Sequence, residues 1–269
     1  MKAQGIDVIN MSVGEPDFNT PEHIKEAGKK AIDDNFSKYS PVPGYMDLRE
    51  AIVDKLKKEN HLDYTTGEVI VGTGGKQGVC NTILALVNPG DEVIIPAPYW
   101  VSYPQMAKLA GGTPVIVRAG FEQDFKMTAE QLEAAITPKT KMLILCSPSN
   151  PTGSVYSQEE LNALAEVILK HEDIFVLSDE IYEHINYVGK AASIASYPGM
   201  KERTIICNGV SKAYAMTGWR LGWVAAPAWI VKGINKLQGQ YTSGTCDVSQ
   251  KAAVAAYVAS QDCVEQMRV

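Results

Sequence analysis

Met142-Leu143-Ile144-Leu145-Cys146 runs into Ser147-Pro148-Ser149-Asn150-Pro151-Thr152-Gly153, and a stretch of helical period follows over residues 159–169. The first five residues are apolar without alternation. That is the pattern of a strand buried on both faces, and such strands belong to parallel sheets covered by helices. The same unit recurs on both sides of this one. Apolar runs at 69–72, 92–95 and 114–117 are followed by helix-period stretches at 77–86, 103–109 and 129–135, and further strands are predicted at 175–178, 204–207 and 221–225. Strands alternating with helices over this length predict an α/β fold, a three-layer sandwich with a mostly parallel sheet.

The two ends read differently. Gly14-Glu15-Pro16-Asp17 and Ser40-Pro41-Val42-Pro43-Gly44 are turn clusters around a helical stretch at 21–33, so an arm and a leading helix precede the sheet. Residues 249–267 carry one helical pattern with no Gly, Asn or Pro stop, and the chain is expected to end within an element. The chain has 269 residues, 45% of them hydrophobic and 21% charged, which is ample for a core and excludes disorder. A net charge of -6 with no Lys/Arg-rich block argues against nucleic acid or an anionic membrane as partner. The partner expected is a small molecule or another protein. No apolar stretch of membrane-spanning length occurs, and the five cysteines are odd in number and unpaired in spacing, so each is expected to be a buried thiol in a cytoplasmic protein.

Four loops follow predicted strands, at the carboxyl edge where open α/β sheets bind ligands. In Gly72-Thr73-Gly74-Gly75-Lys76-Gln77 the glycines let backbone N–H groups approach an anion as a helix begins. A Gly-rich turn can equally stand without a ligand. It is no P-loop, since Ile70 and Gln77 occupy positions that the P-loop reserves for Gly and Ser/Thr. Pro96-Ala97-Pro98-Tyr99-Trp100 puts an indole where it can stack on a flat ring, or simply pack. Ser147 to Gly153 presents Asn150 on a backbone fixed by two prolines, unless the prolines merely shape the turn. In Leu177-Ser178-Asp179-Glu180-Ile181-Tyr182 a carboxylate leaves an apolar strand, where it needs a partner, with a phenol three residues on. A last element beyond these four, Asn208-Gly209-Val210-Ser211-Lys212, followed by Thr217-Gly218-Trp219-Arg220, offers a lysine whose amine burial can make nucleophilic toward carbonyls, or which reaches solvent instead.

Together these residues resemble the fold type I pyridoxal-phosphate enzymes, specifically class I aminotransferases of the aspartate aminotransferase subgroup found in many bacteria. The resemblance rests on S-P-S-N-P-T-G, S-D-E-I-Y and N-G-V-S-K-A-Y-A-M-T-G-W-R and extends from Val13 onward. It implies pyridoxal 5'-phosphate carried by Lys212, with Asp179 on the pyridine nitrogen, Asn150 and Tyr182 on the 3'-oxygen and Trp100 stacked on the ring. Backbone N–H groups at Gly74, Gly75 and Lys76, with Arg220, would take the phosphate, and Tyr39 would reach it across a homodimer interface. Gly14 would meet the substrate carboxylate, joined by Asn150 and Trp100, and Lys76 would face the distal carboxylate of an acidic substrate. Lys212, Asp179 and Tyr182 carry the catalytic expectation; no metal is expected. The substrates implied are an amino acid, aspartate foremost, and a 2-oxo acid such as 2-oxoglutarate.

Two departures qualify it. Gly209 stands where the best-known aspartate aminotransferases place a phosphate-binding serine, and the arginine that the family uses for the α-carboxylate has no counterpart here. The domain reading is an N-terminal arm at 1–20 belonging to a small domain, a large cofactor-binding domain at 21–269, and no C-terminal small domain. Two alternatives stand beside this reading. One is a cofactor-binding but catalytically incomplete large-domain fragment. The other is a nicotinamide-dependent dehydrogenase, for which Tyr197 and Lys201 have the right spacing, although Pro198-Gly199 between them breaks the helix that such a pair needs.

Overall fold

The computed structural model describes residues 4–8 and 14–268. Val13, and with it much of the arm expected at 1–20, lies outside the described residues. The apolar runs become seven strands in one sheet: β1 (Val69–Gly72), β2 (Glu92–Ala97), β3 (Thr113–Arg118), β4 (Thr140–Cys146), β5 (Phe175–Asp179), β6 (Thr204–Gly209) and β7 (Gly222–Ala225). Their order is β1-β7-β6-β5-β4-β2-β3. The pairs β2/β3, β2/β4, β4/β5 and β5/β6 are parallel, and only β7 runs against its neighbours. This is the mostly parallel sheet expected.

Successive strand residues face opposite sides, and the packing divides accordingly. Met142, Ile144 and Leu177 join a core with α3 (Gly75–Leu86), α4 (Ser102–Leu109) and α7 (Ala228–Tyr241). Leu143, Leu145 and Val176 join another with α6 (Gln158–Leu169), next to α5 (Ala129–Ala135). A third core gathers α1 (Glu22–Asp33), α2 (Met46–Glu59) and α8 (Asp247–Val258) around Val69, Val71, Ile206 and Ala225. Each fully buried Leu or Ile contributes about 1.5–3 kcal/mol over an exposed one, so the interleaved faces hold the carboxyl ends of β4, β5 and β6 firmly side by side. Among the described residues no helix is long and apolar enough to cross a membrane.

Two expectations are corrected. The helix expected over 249–267 is broken into α8 and α9 (Asp262–Arg268). Ala259 is extended, and the Gln261 side chain donates to the carbonyls of Ala256 and Ala259 at 3.0 and 2.9 Å while accepting from Tyr214 Oη at 2.7 Å. A side-chain cap held by a distant tyrosine ends α8 where the local sequence has no stop signal. The cysteines are all free, as expected, but not all buried: Cys207 is buried, Cys246 is exposed, and Cys80, Cys146 and Cys263 lie between.

Candidate functional site

The loops after β1, β2, β4, β5 and β6 meet at one edge of the sheet. At β1, Gly74 precedes α3 with φ +79°, in the left-handed region that glycine tolerates. A Cβ on Gly74 would lie 2.7 Å from Arg220 Nη2, and one on Gly222 would lie 2.2 Å from the Gly75 nitrogen. Backbone and guanidinium therefore approach too closely for side chains. The N-terminus of a 12-residue helix and a planar cation end in the same place, a cradle suited to phosphate. Arg220 is steadied by donating to the Thr217 carbonyl at 2.9 Å. Gly209 has its own steric reason, since a Cβ there would fall 2.7 Å from Gly222 Cα. A serine does not fit.

Asp179 closes β5, flanked in register by Cys146 on β4 and Cys207 on β6. Burial pushes its carboxyl up to about 6, against hydrogen bonds from Tyr103 Oη (2.7 Å to Oδ2) and the Ile181 N–H (3.4 Å to Oδ1). Burial also pushes the Cys146 thiol up to about 12 and the Cys207 thiol well up, so both flanking groups are neutral. Among the described residues, no cation is a hydrogen-bond partner of Asp179. No motif in the sequence marks Tyr103, which follows Trp100 by three residues and whose N–H bonds the Trp100 carbonyl at 3.1 Å. The two rings meet edge-on at 5.3 Å, and Lys76 Nζ stands 4.8 Å from the Trp100 ring.

Asn150 Nδ2 lies 3.4 Å from Tyr182 Oη, and Lys212 Nζ lies 5.5 Å from the Tyr182 ring. Burial lowers the Lys212 amine and Arg220 lowers it further, while Glu15 opposes them. Lys212 Nζ donates to the Gly14 carbonyl. The segment carrying Gly14 is pinned over the lysine loop: Thr217 Oγ1 donates to Glu15 at 2.5 Å and Thr20 Oγ1 to the Ala215 carbonyl at 2.7 Å. A cavity of about 310 Å³ opens beside Lys212, lined also by Gly14, Glu15, Tyr182, Tyr187 and Arg268. Asp179, Tyr182, Asn150, Lys212, Gly14, Trp100, Lys76, Gly74, Gly75 and Arg220 are thus brought to one edge. Tyr39 is not: it is fully exposed, in a groove with Thr242 to Val248. Tyr197 and Lys201 form no pair, since Tyr197 Oη bonds Glu166 at 3.2 Å and Lys201 lies 3.3 Å from Glu68.

A mostly parallel α/β sheet with an anion cradle, a buried carboxylate and a half-buried lysine at one edge is the arrangement of the fold type I enzymes. The sequence profile described as aminotransferase class I and II matches residues 6–269, and the chain belongs to that family. It is 52% identical over 264 residues to an aspartate/prephenate aminotransferase of Cereibacter sphaeroides, covering 97% of this chain and 66% of that one. It superposes on the aspartate aminotransferase of Rhizobium meliloti with a TM-score of 0.97 at 44% identity, covering 100% of this chain and 68% of that one. On the Thermus thermophilus aspartate aminotransferase with maleate the TM-score is 0.96 at 42% identity, covering 99% and 70%. The chain spans about two thirds of the length of these relatives. Class I aminotransferases such as aspartate aminotransferase use pyridoxal 5'-phosphate, and the cradle, the cation-free carboxylate and the lysine of this chain fit that cofactor's phosphate, pyridine nitrogen and aldehyde.

Proposed function

We propose that the protein is an aminotransferase that moves an amino group between an acidic amino acid, aspartate foremost, and a 2-oxo acid such as 2-oxoglutarate. One observation carries the reading: a buried carboxylate without a cation partner shares a sheet edge with a lysine of lowered pKa and an arginine-backed helix terminus. Pyridoxal 5'-phosphate, when bound, supplies a protonated pyridine ring that accepts the electron pair left when a substrate Cα–H bond breaks. Asp179 would hold the proton on the ring nitrogen. Its carboxyl, raised by burial, falls once a positive charge faces it. Tyr182 O–H and Asn150 Nδ2 would donate to the 3'-oxygen, and Trp100 would pack on the ring face. Gly74, Gly75 and Lys76 offer N–H groups, and Arg220 its fork, to the phosphate. Lys212 would hold the cofactor's aldehyde and, as a free amine, would hold or move the proton at the substrate Cα; a lowered amine pKa increases its neutral, proton-accepting share.

Gly14 and Asn150 meet the substrate α-carboxylate and Lys76 the distal one. The name of the Cereibacter relative and the maleate on the Thermus enzyme, a dicarboxylate, support an acidic substrate. In the same reading residues 21–269 form the cofactor-binding body, the arm at 1–20 belongs to a smaller domain, and a second copy brings Tyr39 to the phosphate in a cytoplasmic homodimer. A spectral titration tests it. Pyridoxal phosphate should give a visible band that aspartate bleaches, and borohydride should fix the label on Lys212 and not in Lys212→Ala. A label on Lys76 or Lys232, or a band indifferent to aspartate and glutamate, overturns the reading.

A further inference from the structure

Four residues past Asp179, Glu183 lies in a second buried polar group that the proposed chemistry does not use. Glu183 accepts from Lys55 of α2, whose side chain is 2% exposed against 6% for Glu183. Asn60 Nδ2 donates to Glu183 Oε2 at 2.8 Å, and Asn208 Nδ2 donates to Oε1 at 2.7 Å. Lys55 also donates to Asn60 Oδ1 at 2.7 Å and lies 3.5 Å from Glu59, which His184 Nε2 meets at 2.9 Å. Glu59, Glu183 and His184 bring three ligand atoms within 4.8 Å of one another, the grouping a metal ion would use. The Lys55 ammonium lies on both carboxylates, so here the cation is a side chain.

A buried ion pair is weak evidence for stability, because apolar residues of the same volume often do as well. Its connections suggest another purpose. Glu183 adjoins Tyr182. Asn208 stands four residues before Lys212, and its Oδ1 accepts from the Gly209 N–H at 2.7 Å. The bonding between β5 and β6 ends where the Glu180 N–H meets the Cys207 carbonyl at 2.9 Å. Beyond that point β6 stays paired with β7 alone as far as Gly209, and the backbone bonds of the two loops that follow β5 and β6 are local: Glu183 N–H to Glu180 O and Ile185 N–H to Tyr182 O in one, Tyr214 N–H to Val210 O and Met216 N–H to Ser211 O in the other. The Asn208–Glu183 bond continues the tie between the loops, and Lys55 anchors it to α2.

We propose that the Glu183–Asn208 bond, held from the end of α2 by Asn60 as well as by Lys55, is a positioning device that fixes the separation of Tyr182 and Lys212, and with it the geometry in which the cofactor is attached. This rests on the function proposed above. Asn208→Ala cuts the tie and leaves the ion pair. Lys55→Met/Glu183→Gln removes both charges and leaves an acceptor for Asn208. Three quantities are read on protein reconstituted with pyridoxal phosphate: the melting temperature, the rate at which Lys212 becomes borohydride-trappable, and the visible circular dichroism per cofactor bound. In Asn208→Ala the attachment rate falls by about tenfold or more and the dichroism per cofactor changes, well below the melting temperature. In the double variant both stay near the parent. Should Asn208→Ala not fold, Lys55→Met/Glu183→Met, which leaves Asn208 no acceptor, carries the same expectation. A variant lacking the tie that attaches cofactor at the parent rate with unchanged dichroism overturns the bridge alone. A parent protein without a visible band overturns the proposed function and the bridge with it.

Discussion

Asp179 and Glu183 are about equally buried, at 7% and 8% exposure, and four residues apart, yet their electrostatics are opposite. Burial pushes Asp179 up to about 6, and its side-chain partner is the neutral Tyr103. Burial acts on Glu183 in the same direction, but Lys55, His184 and Asn60 outweigh it and hold the carboxyl down to about 2. One acid is fully neutralised by the fold and the other is left wanting a cation. The difference sets a carboxylate completed by the fold's own cation beside one suited to the cationic ring nitrogen of the proposed cofactor: an uncompensated buried charge is costly, and such groups mark candidate binding sites.

The largest effect is expected from breaking the completed side. Lys55→Met strands a buried carboxylate and should cost about 3–5 kcal/mol in denaturant unfolding. Glu183 has a folded pKa of about 2 against an ordinary 4.5, so its stabilisation is present above pH 4.5 and lost as pH falls toward 2. That amounts to about 3 kcal/mol. The parent should therefore show this acid loss and Glu183→Gln should not; identical acid profiles would contradict the assignment. The other side has the reverse sign. With a folded pKa of about 6 above an ordinary 3.8, Asp179 binds its proton more tightly when folded, and stability declines as pH rises from 3.8 through 6. Asp179→Asn in cofactor-free protein should accordingly gain about 1–3 kcal/mol at pH 7 and little at pH 4, while losing most transaminase rate when loaded. An Asp179→Asn protein less stable than the parent at both pH values breaks the comparison.

Tyr103→Phe probes the hydrogen bond that stands in for the missing cation. Loss of a 2.7 Å bond to a buried carboxylate should cost the cofactor-free protein about 1–2 kcal/mol at pH 7. It should also move the Asp179 carboxyl further up, readable by carbon NMR of a labelled aspartate. A carboxyl that titrates as in the parent would show that burial alone sets it.

The ring-side residues were legible because each sits in a loop after an unbroken apolar strand, and β4, β5 and β6 announce themselves by having no polar alternation. Tyr103 was readable only through its spacing from Trp100, since its partner Asp179 is 76 residues away. Lys55 left a fainter sign. It occupies the buried stripe of α2 with Leu48, Ala51, Ile52 and Leu56, a lysine where the helical period calls for an apolar residue. Its partner lies 128 residues on, and no local pattern names it. The break between α8 and α9 was hidden for the same reason, because Gln261 caps α8 only with Tyr214 to hold it.

The smallest effect belongs to Lys76, which extends the contrast to the rim. Its ammonium stands 4.8 Å from the Trp100 ring in the open, where a cation–π contact is worth about 0.5–1 kcal/mol and salt screens the charge. If it faces the distal carboxylate of the substrate, its removal should act on acidic donors and spare apolar ones. Lys76→Met keeps the apolar stem over Trp100 and deletes only the charge. The ratio of kcat/KM for aspartate to that for phenylalanine should then fall by roughly fivefold, about 1 kcal/mol, and the parent's own preference should shrink by a similar route as ionic strength rises. A proportionate loss for both donors would place Lys76 on the phosphate or the ring instead, and would leave substrate charge to be read elsewhere.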